Sequence, residues 1–287
     1  MRTAFALLAV PLSLAFAPGS ALAQTSGWGG YYLGASASWT GGRNGEIDAT
    51  IDPFRDARFD YTRNAGRPPR TSTFQRERNI EGAGGFDGRA GRLFERGDWV
   101  WGIEVQSGGA ALDERFSIGP IDADPLAYGP GGELAYVFGS NDTLAADLDI
   151  GVQTSVRARI GRPISDRVLL SAFAGPSVLR ADLKLRQDST VQYAALRFTT
   201  VLPGRPYTVP YLVDQSVAGE ESGHVTGGTI GAAVDVKLTE RWLVHAEGNL
   251  SRYGAIEAQT PAYAGSGSRF SYAPTLYSVS LGLAYRF

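Results

Sequence analysis

His245 and Glu247 stand two residues apart, the spacing that places both side chains on one face of a β-strand. An imidazole beside a carboxylate can work as a general base pair. Here the pair closely follows the turn Thr239, Glu240, Arg241, and no serine partner is evident. An interior histidine satisfied by its neighbours is the expectation, and catalysis is not. A larger set shares the same alternation. Asp87, Arg89, Glu104, Asp149, Arg157, Arg159, Asp235, Lys237, His245, Glu247 and Arg286 all lie on the polar side of segments whose other side is apolar or aromatic. Such a set suits either a polar channel or a closed plug of ion pairs.

Several chemistries are excluded at the outset. There are no cysteines, so neither disulfides nor a thiolate metal centre is available. Glu46, Asp48, Asp52, Asp56 and Asp60 lack the spacing of a calcium loop. Neither a phosphate-cradling glycine motif before a helix nor a nucleophile elbow occurs, and no cofactor or metal is expected. A net charge of −2 does not supply the clustered basic excess that a nucleic-acid partner requires.

The elements that must position these charges are read from a period of two. At 277–287, Tyr277, Val279, Leu281, Leu283, Tyr285 and Phe287 alternate with Ser278, Ser280, Gly282, Ala284 and Arg286. That is a strand whose two faces meet different media, with aromatics at both ends of the apolar set. The same reading gives strands at 28–40, 80–94, 99–106, 147–161, 167–185, 225–238 and 242–253. At 147–161 the apolar face is Leu148, Ile150, Val152, Val156 and Ile160, and the polar face carries Asp147, Asp149, Arg157 and Arg159. Trp99, Trp101 and Trp242 open their strands on the apolar side, as aromatic girdle residues do, and Tyr285 and Phe287 close the last one.

Eight strands result, joined alternately by very short turns and by long segments at 41–79, 107–146, 186–223 and 254–273. The long segments carry most of the prolines, where no ladder donor is lost. Arg2, the apolar run 4–17 and Ala21-Leu22-Ala23 have the layout of a signal peptide, cleaved after residue 23. Residues 24–287 are then one domain. Charged residues make up 20% of the chain, too many for a lipid-facing surface, so they belong in loops and in an interior. In a soluble barrel the apolar face points inward. Here the charges oppose the aromatics, the inside-out arrangement. The expectation is an all-β, eight-stranded antiparallel transmembrane up-and-down barrel in the cell outer membrane, with four long extracellular loops and short periplasmic turns. Eight strands enclose an interior that side chains just fill, so the charges are expected to plug the barrel. A narrow porin is the alternative. The arginine-rich stretch 63–78 suits either contact with anionic lipopolysaccharide near the outer leaflet or an ordinary solvated loop.

In order along the chain, several motifs resemble those of the outer-membrane β-barrel (porin-like) family, in particular its small OmpA-type and opacity-type members. They are Trp28-Gly-Gly-Tyr-Tyr-Leu-Gly, Asp98-Trp-Val-Trp-Gly-Ile-Glu, Arg157-Ala-Arg-Ile-Gly, Gly227-Gly-Thr-Ile-Gly-Ala-Ala-Val-Asp and the terminal Tyr285-Arg-Phe. The resemblance covers all eight strands and not the loops. It implies an integral outer-membrane protein, often called a porin, surrounded by membrane lipid and lipopolysaccharide. It also implies that Phe287 is an assembly signal read by the barrel-assembly machinery. It includes no peptidoglycan-binding domain and so carries no expectation of wall anchoring. Some outer-membrane barrels modify lipids, and that enzyme reading ranks third behind a structural barrel and a porin.

Overall fold

The computed structural model describes residues 27–52, 72–123, 126–128, 134–197, 207–261 and 267–287. The signal-peptide expectation for 1–23 and most of the arginine-rich stretch lie outside these residues. The described residues form β1 (Gly30–Ile51), β2 (Ser72–Arg96), β3 (Trp99–Ala110), β4 (Leu112–Ala123), β5 (Leu126–Tyr128) and β6 (Leu134–Ser165). They continue with β7 (Val168–Arg197), β8 (Tyr207–Lys237), β9 (Trp242–Tyr253), β10 (Ile256–Gln259), β11 (Arg269–Ala273) and β12 (Thr275–Arg286).

Antiparallel pairing runs β1–β2–β3–β6–β7–β8–β9–β12 and closes on β1, so eight strands make a ring. Closure leaves the ring no free edge where it crosses the membrane, which is the requirement for a sheet immersed in lipid. Short turns join the strands at the rim that carries Trp28 and Phe287. Gly97 takes a φ of 60° in the two-residue turn before β3, a conformation that favours glycine. The Thr239 hydroxyl accepts from the Arg241 and Trp242 amides at 3.2 and 3.0 Å, fixing the turn before β9.

The strands are far longer than the alternation at 147–161, 167–185 and 225–238 suggested. β6, β7 and β8 have 32, 30 and 31 residues, against the ~9–11 that a membrane-crossing strand needs. Much of what reads as long loops in the sequence is therefore strand: β1 and β2 extend into 41–79, β4, β5 and early β6 occupy 112–146, and β7 and β8 extend into 186–223. β10 and β11 occupy part of 254–273. The charges that suggested loops sit on the water-facing side of strands beyond the membrane.

Strand β7 shows the boundary along one unbroken alternation. Its outward residues are Leu170, Ala172, Ala174, Pro176 and Val178, then Arg180, Asp182, Lys184, Arg186 and Asp188. Its inward residues are Ser171, Phe173 and Ser177, then Leu179, Ala181, Leu183 and Leu185. From Leu170 to Val178 the strand spans roughly 26 Å, or about 20 Å across a bilayer at the usual tilt.

On β6 the polarity changes by a shift of phase instead. Below the shift Val152, Val156 and Ile160 face lipid, while Ser155, Arg157 and Arg159 face in. Above it Leu144, Ala146, Leu148 and Ile150 face in. The pairing with β7 shifts register between Ile150 and Gln153, and a β-bulge of this kind exchanges the two faces. The expectation of a single apolar face from Leu148 to Ile160 is corrected by that bulge. β1 makes the same exchange across its register shifts between Thr40 and Gly45, after which Ile47, Ala49 and Ile51 point inward.

The interior consequently contains two apolar clusters. One, in the extension beyond the membrane, joins Ile47, Phe116, Leu148, Leu183, Ile256, Phe270 and others. The other closes the periplasmic end with Trp28, Tyr32, Leu93, Val100, Leu169, Leu243 and Ala284.

Candidate functional site

Between the two clusters lie the interior charges. Arg157 and Arg159 come from β6, Arg89 from β2, Glu104 from β3, Asp235 from β8, and His245 and Glu247 from β9. All are buried, with the Arg157 side chain 1% exposed. The inward period of two brings them to one level. Glu104 is directly opposite Arg157, and Asp235 directly opposite His245.

The contacts form one connected array. Arg157 pairs with Glu104 and reaches both oxygens of Glu247, at 3.1 and 3.2 Å. Arg89 donates to Glu247 at 3.2 Å and to the Ser36 hydroxyl at 2.9 Å. Arg159 pairs with Asp235, approaches Glu104 at 3.7 Å and donates to the Ser171 hydroxyl at 2.8 Å. The Tyr32 hydroxyl donates to Glu104. The Arg157 guanidinium also lies 4.1 Å over the Phe173 ring. Three arginines thus meet three carboxylates, which is how buried charge is tolerated. Room for the array comes from glycine: a Cβ on Gly91 would stand 2.7 Å from the Tyr32 hydroxyl.

His245 sits inside the array. Its Nδ1 is 2.5 Å from Asp235 and its Nε2 is 2.9 Å from Glu247. Both ring nitrogens are occupied by carboxylates, so neither is left to take a proton from a hydroxyl. The serines nearby, Ser36 and Ser171, bond to arginines instead. The arrangement holds a structure together and offers no nucleophile–base pair of the kind that covalent catalysis uses.

Other residues singled out in the sequence fall elsewhere. Asp87 is half-buried above the array, where it lines a small polar pocket with Thr40, Gln106, Gln153, Ser155 and Asn249. Lys237 and Arg286 are buried at the periplasmic end, where the Lys237 ammonium lies 4.4 Å over the Trp28 ring and Arg286 donates to the Glu240 carbonyl at 2.7 Å. Asp149 is corrected: it lies on the outer surface of the extension, because the β6 bulge reverses its face. There it is directly opposite Asp113 on one side and Asp182 on the other. Partial burial first, then those two carboxylates, hold its carboxyl above the ordinary range.

Trp99, Trp101, Trp242 and Phe287 are exposed on the outer wall, and Tyr285 packs edge-on between Trp242 and Phe287 with ring centroids 5.1 Å from each. Tyr32, Ser36 and Ser171 belong to the array and were not singled out. Tyr32 and Ser36 occupy the inward phase of the strand read at 28–40, the signal that could have found them.

The model of the outer membrane protein beta-barrel domain family matches residues 7–287. No curated protein matches the chain. Similar solved structures include Ail, the attachment invasion locus protein of Yersinia pestis, in complex with the heparin analogue sucrose octasulfate. It is 12% identical, with 89% of this chain and 99% of that one covered and a TM-score of 0.30. The outer membrane protein OprG of Pseudomonas aeruginosa is 9% identical, with 92% and 99% covered and a TM-score of 0.43. Neisserial surface protein A is 12% identical, with 90% and 97% covered and a TM-score of 0.30.

Proposed function

The chain belongs to the outer-membrane β-barrel family, and on that premise we propose that it is a sealed, non-enzymatic barrel that holds a folded extension at the cell surface. Its contribution is to envelope structure and surface presentation. The observation that carries this reading is the double closure of the interior. An ion entering from outside meets the packed apolar cluster of Phe116, Leu148, Leu183 and Phe270. Beyond it, the guanidiniums and carboxylates of the array contact one another across the lumen, at 3.1–3.2 Å between Arg157 and Glu247. Below the array, Trp28 and its neighbours shut the periplasmic end. Among the described residues, buried side chains occupy each of these three levels, and both nitrogens of His245 already face carboxylates, which supports the sealed, non-enzymatic reading.

Conductance in a planar bilayer tests the reading. Purified protein inserted at neutral pH gives no steady single-channel steps. Steady, large steps would replace the sealed barrel with the narrow-porin alternative.

A further inference from the structure

Between the ion array and the apolar core of the extension, the lumen contains a polar cavity of about 10 Å³, room for one water-sized occupant. Strand register builds it. Asp87, Gly108 and Gln153 are paired in one row across β2, β3 and β6, and Thr40, Ser278 and Asn249 in another across β1, β12 and β9. Gln106 is directly opposite Ser155. Two residues further along these strands, on the same face, stand Arg89, Glu104, Arg157 and Glu247, so the array is the floor of the cavity. In the other direction Leu276 follows Ser278, and Ile150 follows Gln153 across the bulge; both belong to the apolar cluster. Gly108 leaves the space open: a Cβ there would stand 2.6 Å from a carboxylate oxygen of Asp87.

Asp87 has no countercharge in contact with it. Arg157 and Arg159 pair with Glu104, Glu247 and Asp235, and Arg89 directs its guanidinium to Glu247, Ser36 and Ser280. His245 is held between Asp235 and Glu247. Asp87 is a fourth carboxylate, and among the described residues it is in no ion pair. A carboxylate facing an enclosed space needs a cation or a proton. The neutral groups around it present acceptors. The Gln153 amide donates to the Ser251 hydroxyl at 3.0 Å and the Asn249 amide to Glu247 at 3.4 Å, which leaves their carbonyl oxygens for the cavity they line. The hydroxyls of Thr40, Ser155 and Ser278 add further lone pairs.

We propose that this cavity binds one dehydrated alkali-metal cation, sodium or potassium, with the Asp87 carboxylate as its countercharge and the oxygens of Gln153, Asn249, Thr40, Ser155 and Ser278 in place of its water shell. Ligand chemistry selects the occupant. A lining of acceptor oxygens with a single negative charge suits a hard monovalent cation, as rings of carbonyls do in ion filters. A divalent ion would leave a buried charge uncancelled. Magnesium in addition retains several waters, for which a single water-sized space has no room. The bound cation ties β1, β2, β6, β9 and β12 together directly above the array. Folding stability and ion density read the site, and neither depends on whether the lumen conducts.

Refolding and urea unfolding of the purified protein in detergent test the proposal, at one pH and one ionic strength, in sodium, potassium or N-methylglucamine chloride. Sodium or potassium raises the wild-type urea midpoint above that in N-methylglucamine along a saturating curve. The folding equilibrium shifts about a hundredfold at roughly 100 times the dissociation constant. Asp87→Asn removes this dependence, and in N-methylglucamine its midpoint is no lower than that of wild type. Wild-type crystals grown in rubidium chloride give a second readout that needs no substitution, an anomalous peak beside Asp87. Equal wild-type midpoints in the three salts overturn the proposal. So does an equal salt response in Asp87→Asn, which marks screening at the surface. Ordered density beside Asp87 with no anomalous signal also overturns it, and identifies a water next to a protonated carboxyl.

Discussion

The membrane-embedded ring and the extension above it are built from the same strands with their faces exchanged. In the ring, β7 shows Leu170 to Val178 to lipid and encloses Ser171 and Ser177. In the extension it shows Arg180 to Asp188 to water and encloses Leu179 to Leu185. A period of two persists throughout, and what changes is the medium on the outside. In lipid the outer wall is apolar and the interior must contain the charge. In water the outer wall is charged and the interior becomes an ordinary hydrophobic core. The two regions are therefore stabilised differently, the ring by backbone closure and a neutralised ion array, the extension by apolar packing.

The largest effect that separates them is expected at Arg157. Its removal leaves Glu104 and Glu247 short of their shared cation in a buried site. A buried pair broken on one side costs ~3–5 kcal/mol. Arg157→Ala should lower the urea midpoint of the ring, measured by the loss of the folded band on unheated gels. A midpoint equal to wild type would mean that the array contributes nothing to the ring.

An intermediate effect, confined to the other region, is expected at Leu183, which is fully buried among Leu148, Leu179 and Leu185. Leu183→Ala should cost ~2–5 kcal/mol, the range for such truncations in a packed core. Protease added to intact cells should then cut the extension faster while the ring remains folded. Simultaneous loss of both regions would show that they unfold as one cooperative unit, and the contrast between them would not extend to stability.

The smallest effect concerns Asp149, between Asp113 and Asp182 on the outer surface. Its carboxyl is held above the ordinary range, so the folded extension favours the protonated form. The resulting stabilisation is present at low pH and is lost as pH rises through the folded value. Asp149→Asn should remove that dependence and stabilise the extension at neutral pH by ~0.2–1 kcal/mol, the scale of a directly opposed cross-strand pair. Thermal melts at pH 4.5 and pH 7.5 compare the two proteins. A variant less stable than wild type at pH 7.5 would show that Asp149 is held by attraction to Arg180 or Lys184 instead.

The sequence alone determined the ring. Alternation at 277–287, 225–238 and 242–253, with tryptophans and tyrosines at the ends, states which side chains face lipid, because in a bilayer every second residue answers to the same solvent. It also placed His245, Glu247, Arg157 and Arg159 on inward positions. Three things were decided only in three dimensions. The extension read as loops, since charge on the outside of a water-exposed strand looks like loop composition. The bulge between Ile150 and Gln153 sent Asp149 outward and Ile150 inward, and a one-residue change of phase leaves almost no mark in a chain where apolar residues continue at even positions on both sides. The partners within the array were likewise undetermined, because an ion pair between β6 and β9 depends on the register of every strand that separates them around the ring. Local alternation is set by the nearest solvent, whereas register and phase are set by closure of the whole sheet.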